Sequence, residues 1–165
     1  MPLILGFESS CDETGVAVVR DGRAVLTSEV ASQIDVHREF GGVVPELASR
    51  QHTRVISQLA GKALRDADVT TPELDGIAAT QGPGLSGSLL VALSFAKALA
   101  YAWDKPFVPV HHIEGHLFSA MLEEPAPAFP FLALVVSGGH TQLIDCPRPH
   151  EYHILGKTRD DAVGE

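Results

Sequence analysis

Apolar runs separated by polar turns predict a three-stranded meander in the first part of the chain. Residues 3–7 form a short apolar run, the polar stretch 8–14 follows, and the apolar pattern resumes at 15–19. The pair Asp21-Gly22 then marks a tight turn, because both residue types tolerate the backbone angles that such turns require. A third strand is expected at 24–28.

The pattern changes to a helical period after this meander. Between residues 45 and 67 the apolar residues recur at steps of three and four, which indicates an amphipathic helix. Further elements follow in chain order: a strand at 75–80, a tight turn at 81–84, a buried helix at 86–103, a strand at 107–110 and a helix at 111–122. We expect Ser86 or Ser88 to cap the helix that begins beside them.

A second meander is predicted after a proline-rich stretch. Prolines at positions 125, 127 and 130 exclude a helix or a central strand from residues 123–130. Strands are expected beyond it at 131–136, 141–146 and 152–155. The same strand and turn pattern thus occurs twice, which suggests two lobes with a site between them.

This repeat sets the expected domain organisation. Residues 1–122 form a first lobe, 123–130 a linker and 131–165 the start of a second lobe. No helix is predicted after the second meander, and a three-stranded sheet needs a cover for its apolar face. We therefore expect that the chain stops inside its second lobe or that another chain supplies the cover, with a homodimer as one arrangement.

Composition and charge exclude several classes of protein. The chain has 165 residues, 45% of them hydrophobic, so intrinsic disorder is not expected. Twelve Lys and Arg residues against 21 Asp and Glu residues give a net charge of −9, which excludes a broad basic face for nucleic acid. Any RNA contact must then be local or come from a partner.

The cysteines and the hydrophobic runs indicate a cellular compartment. Cys11 and Cys146 form no CxxC motif, so neither a disulfide framework nor a thiolate zinc site is indicated. The N-terminal stretch lacks the basic start of a signal peptide, and no run reaches the roughly 18 apolar residues of a membrane span. We expect a soluble, cytoplasmic protein with no membrane contact.

The segment from His112 to His116 is the sharpest chemical signal. Residues four apart share one face of a helix, so the two imidazoles can bind one transition metal ion. Glu114 lies off that face, whereas a zinc peptidase of the HExxH type needs its Glu directly after the first His. Two ligands are too few, so a further ligand is required. Ordinary polar residues near a helix start are the alternative interpretation.

The turn after the strand at 131–136 is a second candidate site. Gly138 and Gly139 have no side chains to block an anion from the backbone N–H groups, although a plain hairpin turn uses the same residues. The corresponding turn of the first meander contains Asp12 and Glu13, which can act as acid or base or orient a metal. A solvated acidic turn is the alternative there.

Two further features favour a structural interpretation over a chemical one. The glycines at 82, 84 and 87 have phosphate-loop spacing, but the Walker lysine is missing, so a strand-to-helix turn is the better interpretation. Cys11 has no candidate base in its local sequence and is interpreted as structural.

Six motifs in fixed order resemble the bacterial type of the TsaD family, formerly called glycoprotease or O-sialoglycoprotein endopeptidase. The motifs cover residues 7–15, 41–50 followed by His52, 82–85, 112–116, 136–141 and 160–165. The resemblance implies an α/β protein with the actin-like, Hsp70-type (ASKHA) ATPase fold, here its first lobe plus the first three strands of the second. It also implies an acyltransferase that makes N6-threonylcarbamoyladenosine in tRNA.

The implied reaction transfers the threonylcarbamoyl group of threonylcarbamoyl-AMP to the adenosine next to the anticodon, in tRNAs that read codons beginning with A. By the same resemblance, His112 and His116 bind one Fe(2+) or Zn(2+) per subunit. Asp12 and Glu13 lie near the reacting centre and His140 lies at the edge of the adenylate site. That site is lined by Val135, Val136, Ser137, Gly138 and Gly139.

The family resemblance also implies partners, and it limits what this chain is expected to do alone. TsaB is a paralogous partner, TsaE is an ATPase, and a TsaC-type enzyme supplies the adenylate. Family members are about twice as long, and their other half carries a third metal ligand, an aspartate. We therefore expect this chain to bind metal and nucleotide weakly and to be inactive alone. A metalloendopeptidase acting on glycoproteins and a non-catalytic TsaB-like scaffold are the alternatives.

Overall fold

The computed structural model describes residues 1–160, 162 and 163. Contacts divide the chain into two compact units, Met1–His112 and Ile113–Glu165. No helix in the described part of the chain is long and apolar enough to cross a membrane.

The first unit is built on a five-stranded mixed sheet in the order β3-β2-β1-β4-β5. Its strands are β1 (Leu3–Glu8), β2 (Glu13–Arg20), β3 (Ala24–Ser32), β4 (Gly76–Gly82) and β5 (Phe107–His111). β1 runs antiparallel to β2 and parallel to β4, and β4 runs parallel to β5. The carboxyl ends of β1, β4 and β5 therefore meet at one edge of the sheet.

Three helices complete the first unit: α1 (Ile34–Arg38), α2 (Pro45–Asp66) and α3 (Ser86–Ala102). α2 contacts β2 and β3, and α3 contacts β1, β4 and β5. The buried positions of α3 are Ser88, Ala92, Ala96 and Ala100, all small residues four apart, and they let the helix pack closely. The core of the unit includes Leu5, Val18 and Ile77, each fully buried.

The second unit combines one helix with a three-stranded antiparallel sheet in the order β6-β7-β8. Helix α4 (His112–Ser119) begins at the last residue of the first unit and is followed by a short 3-10 helix, Ala120–Leu122. The strands are β6 (Phe131–Val136), β7 (Thr141–Arg148) and β8 (Glu151–Lys157). Ile113 and Leu117 of α4 pack with Val135, Ile144 and Cys146 in one apolar cluster.

Alternate residues of β6 have opposite environments. Val135 is buried in the cluster with α4, whereas Leu132 and Leu134 are 64% and 67% exposed. Side chains alternate between the two faces of a strand, so one face of this sheet is covered and the other is apolar and open. The sequence predicts no helix after this sheet that could cover it. Helix α4, which precedes the sheet, covers one of its two faces.

The predicted order of strands and long helices is confirmed. The prediction that Ser86 or Ser88 caps α3 is wrong. Leu85 occupies the N-cap position, and neither serine makes a side-chain cap. The carbonyl of Ser88 instead accepts a hydrogen bond from Ser9 Oγ at 2.6 Å, because this end of α3 packs against the turn after β1. Helix α1 was not predicted, since five residues are too few to show a period.

Candidate functional site

Three polar side chains meet where the parallel strands of the first unit end. Glu8 is the last residue of β1, Thr80 lies near the end of β4, and His112 follows β5 directly. Since β1, β4 and β5 are neighbours in parallel, the topology alone brings these three positions to one edge of the sheet. Ligand sites of α/β sheets form at this edge.

Glu8 is the centre of this cluster. Its Oε2 accepts from Thr80 Oγ1 at 2.6 Å and lies 3.1 Å from His112 Nδ1, and its other oxygen accepts from the backbone N–H of Ser10. Burial alone would raise the pKa of this carboxyl, but the hydrogen bonds from His112, Thr80 and Ser10 outweigh it and lower the pKa to about 2. Glu8 is therefore a carboxylate at neutral pH.

The ionised state of Glu8 determines which ring nitrogen of His112 faces it as a donor. A carboxylate only accepts hydrogen bonds, so Nδ1 of His112 must carry the proton that points to Glu8. Nε2 is then the ring nitrogen left to bind a metal. Histidine ligands of metals commonly donate their other N–H to a carboxylate in this manner.

His116 lies on the next turn of α4 and is exposed, so its position also suits a metal ligand. Among residues 1–160, 162 and 163 no group of three or more His, Cys, Asp or Glu side chains is arranged to hold a metal ion. The donor chemistry of the pair fits iron or zinc, and a complete coordination sphere needs at least one further ligand.

Asp12 and Glu13 lie where β1 turns into β2, with Asp12 half-buried and Glu13 exposed at the first position of β2. Cys11 precedes them and is itself exposed. Partial desolvation and the neighbouring Asp12 carboxylate raise the pKa of the Cys11 thiol to about 11. The thiol stays protonated at neutral pH and is a poor nucleophile, which agrees with its interpretation as structural.

The loop before α3 packs directly on this first turn. The N–H of Leu85 donates to the carbonyl of Ser10 at 2.7 Å. A Cβ added at Gly84 would lie 2.6 Å from that same oxygen, so the residue must be glycine for the loop to approach. The predicted strand-to-helix turn at 81–84 thus has a defined function, which is to hold the β1–β2 turn.

The second candidate turn belongs to the second unit. Val135 is buried, Val136 is exposed, and Ser137 to His140 connect β6 to β7. The N–H of Ser137 donates to the carbonyl of His140 at 2.8 Å, and the N–H of His140 donates to Ser137 Oγ at 3.1 Å. Gly138 and Gly139 are exposed between them. The predicted adenylate-binding function of these residues stays a prediction.

Glu114, between the two histidines of α4, has its own partners in the second unit. Its Oε1 accepts hydrogen bonds from Tyr152 Oη and from His150 Nδ1, each at 3.0 Å. Burial and the Glu114 carboxylate raise the pKa of Tyr152 to about 12, so the phenol remains a donor. Glu114 thus anchors the helix to β8 and its neighbouring turn.

The sequence analysis assigned no role to Glu8, Thr80 or the buried histidine His52. Their sequence positions could have indicated a role. Glu8 and Thr80 are polar residues at the ends of apolar strands, and these strands are parallel neighbours in the sheet. His52 occupies the apolar face of α2, four residues from both Ala48 and Ile56. A polar side chain at such a position requires hydrogen-bond partners from elsewhere in the fold.

Solved structures with a similar backbone establish the fold. YeaZ from Pseudomonas aeruginosa superposes with a TM-score of 0.62 at 20% identity, over 96% of this chain and 67% of that one. The Ppx/GppA phosphatase of Aquifex aeolicus gives a TM-score of 0.53 at 13% identity, over 94% of this chain and 52% of that one. These proteins have the actin-like ATPase fold, and the predicted fold class is confirmed.

Sequence comparison establishes the family. The TsaD family model, described as tRNA N6-adenosine threonylcarbamoyltransferase, matches residues 24–165. A protein of that name from Caldicellulosiruptor bescii is 56% identical over 163 residues, which are 99% of this chain and 48% of the relative. The relative from Staphylococcus aureus strain Newman is 53% identical over the same shares.

The family model covers the positions of the last five motifs, and Asp161, Gly164 and Glu165 of the final one lie outside the described residues. The chain spans about half the length of the curated relatives it matches. It belongs to the TsaD family of tRNA N6-adenosine threonylcarbamoyltransferases.

Proposed function

We propose that this chain carries part of the site that transfers a threonylcarbamoyl group from threonylcarbamoyl-AMP to tRNA. The acceptor is the exocyclic amine of the adenosine next to the anticodon, in tRNAs that read codons beginning with A. The observation that carries this proposal is 56% identity over 99% of the chain to a relative named for this activity.

We assign His112 and His116 as ligands of one Fe(2+) or Zn(2+) ion. The bond between Glu8 and His112 Nδ1 supports this assignment, because it orients the ring with Nε2 as the nitrogen left to bind a metal. When bound, the metal supplies a Lewis acid that polarises the carbamoyl group. At least one further ligand completes the coordination.

The reaction itself needs a base and an oriented leaving group. The adenosine amine attacks the carbamoyl carbon, the bond from that carbon to the phosphate oxygen breaks, and AMP leaves with the electron pair. We assign Asp12 and Glu13 to the proton that the amine loses. Backbone N–H groups of Gly138 and Gly139 hold the phosphate as its charge develops, between Val135, Val136, Ser137 and His140.

The proposed partners follow from the substrate and the charge of the chain. A net charge of −9 gives no broad surface for the tRNA backbone, so a partner has to contribute one. We propose TsaB and TsaE for the complex and a TsaC-type enzyme as the source of the adenylate. The reaction would take place in the cytoplasm, where its tRNA substrate is found.

Two observations favour transfer over the alternatives. Glu114 is held by Tyr152 and His150 rather than available to a metal-bound water, which disfavours a glycoprotein peptidase. A scaffold of the TsaB kind needs no metal ligands, whereas His112 and His116 lie on one face of α4 and His112 is oriented by a carboxylate.

A hybrid enzyme tests the proposal. This chain replaces the matching 163 residues of the Caldicellulosiruptor bescii relative, and the hybrid is assayed with TsaB, TsaE, threonylcarbamoyl-AMP and unmodified tRNA. Mass spectrometry of the tRNA nucleosides should detect N6-threonylcarbamoyladenosine, and the His112→Ala, His116→Ala double variant should reduce it to background. A folded hybrid that makes none, beside an active unaltered relative, would contradict the proposed function.

A further inference from the structure

His52 is fully buried in α2, yet both of its ring nitrogens have polar partners. Nε2 lies 3.0 Å from the carbonyl oxygen of Cys11, and Nδ1 lies 2.7 Å from Thr14 Oγ1 and 3.3 Å from Gln33 Nε2. A carbonyl only accepts, so Nε2 must carry the proton and Nδ1 must accept. Burial lowers the pKa of His52, which keeps this ring neutral at neutral pH.

Gln33 continues the same chain of hydrogen bonds. Its Nε2 also donates to the carbonyl of Ala48 at 3.4 Å, which fixes the orientation of the amide. Its Oε1 therefore faces His37 Nε2, at 3.1 Å, and accepts from it. The other nitrogen of His37 accepts from the backbone N–H of Val44 at 3.3 Å. Gln33 and His37 are themselves 5% and 4% exposed.

Each group in this chain of hydrogen bonds accepts from the group before it and donates to the group after it. The N–H of Val44 donates to His37, His37 donates to Gln33, Gln33 donates to His52, and His52 donates to the carbonyl of Cys11. Each amide or ring nitrogen has one assignment that satisfies its neighbours, and both rings are neutral in it. A buried network that is satisfied throughout specifies a single arrangement of the groups it joins.

The chain of bonds ends on the backbone of the β1–β2 turn. Three successive carbonyls of that turn are held by three distant segments: Ser10 by Leu85, Cys11 by His52 and Asp12 by the backbone N–H of Gln33 at 3.2 Å. The two carboxylates assigned to proton transfer, Asp12 and Glu13, are carried by this turn or directly follow it.

We propose that His52, with Gln33 and His37, is a positioning residue that fixes the turn bearing Asp12 and Glu13. This inference rests on the proposed function for its consequence in transfer, but the hydrogen-bond chain is a property of the protein itself. His52 does not touch the reacting groups. It acts on the backbone from which they project.

Two amide variants separate the donor to Cys11 from the rest of the network. The amide nitrogen of His52→Gln reaches the position of imidazole Nε2 and can still donate to Cys11, whereas that of His52→Asn reaches only the position of Nδ1. Both replace the buried ring with an uncharged amide. Ile56→Val, on the same face of α2, is the control for loss of packing alone.

The first measurement uses the chain itself and needs no activity. Long-range 1H–15N spectra at pH 7 should show His37 and His52 neutral and protonated at Nε2. The amide resonance of Asp12, whose peptide plane includes the Cys11 carbonyl, should shift strongly in His52→Asn and little in His52→Gln. A cationic or Nδ1-protonated ring, or equal shifts in both variants, would overturn the proposal.

The second measurement uses the hybrid enzyme below the melting temperature of every variant. His52→Asn should lower kcat about 10-fold or more with KM nearly unchanged, since a small displacement of reacting groups reduces the rate of the chemical step. His52→Gln should restore most of that loss, and Ile56→Val should keep the kcat of the unaltered hybrid. Equal kcat values for the two amide variants would overturn the positioning function. An inactive unaltered hybrid would contradict the proposed function, while the spectra would still decide the hydrogen-bond chain.

Discussion

The β1–β2 turn and the β6–β7 turn have similar sequence patterns but different support. The first is held through three backbone carbonyls by Leu85, His52 and Gln33, all distant in sequence. The second is closed by hydrogen bonds between Ser137 and His140, its own first and last residues. A repeated strand and turn pattern therefore fixes the local connection, whereas the surrounding helices decide how firmly a turn is held.

The two sheets that carry these turns also differ in how deeply their apolar side chains are buried. β1 and β2 lie inside a five-stranded sheet with Leu5, Val16 and Val18 fully or almost fully buried. β6 is an edge strand of a three-stranded sheet, and Leu132 and Leu134 are exposed on its open face. We expect the same kind of substitution to have unequal effects in the two units.

The largest effect is expected from the carboxylates of the first turn. Asp12→Asn and Glu13→Gln in the hybrid enzyme should each lower kcat by about 10²–10⁴-fold if the residue accepts the proton of the amine. Glu46→Gln, an exposed residue of α2, is the charge-matched control and should retain full activity. Single-turnover rates measure the effect, and a loss below about 10-fold for both variants would exclude general-base catalysis by either.

Truncation of a leucine should distinguish the two sheets. Leu5→Ala should lower the free energy of unfolding by about 2–5 kcal/mol, because it opens a cavity in a fully buried site. Leu134→Ala removes the same atoms from an exposed site and should change it by about 0.5 kcal/mol or less. Urea unfolding of both variants measures these losses. Equal losses in the free energy of unfolding would contradict the difference in burial between the two leucines.

An added methyl group should distinguish the two turns. Gly84→Ala places a Cβ 2.6 Å from the Ser10 carbonyl, whereas Gly139→Ala meets nothing within 4 Å. We expect a cost of about 1–3 kcal/mol for the first variant, typical of overpacking, and about 0.5 kcal/mol or less for the second. Thermal unfolding measures both, and a neutral Gly84→Ala would show that the loop does not hold the first turn.

A smaller effect is expected from pH. The pKa of Glu8 is about 2 in the folded chain against an ordinary value of 4.5, so its stabilising contribution is present above pH 4.5. That contribution is lost as the pH falls from 4.5 toward 2. Glu8→Gln should flatten the acid slope of stability in this window, and an unchanged slope would contradict the hydrogen bonds assigned to Glu8.

The sequence predicted local elements better than the contacts between them. The period of α2 and the apolar runs of β1 and β6 identify those elements, and the spacing of His112 and His116 places both on one face of α4. The partner of His112 was not predicted, because Glu8 is 104 residues away and reaches it only through the parallel pairing of β1, β4 and β5. The partners of His52 were not predicted for the same reason, since Thr14 and Gln33 approach it from other segments.

The most direct test of the site is the metal content of this chain by native mass spectrometry in the presence of Zn(2+) or Fe(2+). We predict weak binding of one ion per chain, which is lost in His112→Ala, weakened by a further factor of about 10–100 in Glu8→Gln, and retained in His153→Ala, an exposed histidine of β8. Equal metal binding by the unaltered chain and His112→Ala would contradict the assignment of His112 and His116 as the metal ligands.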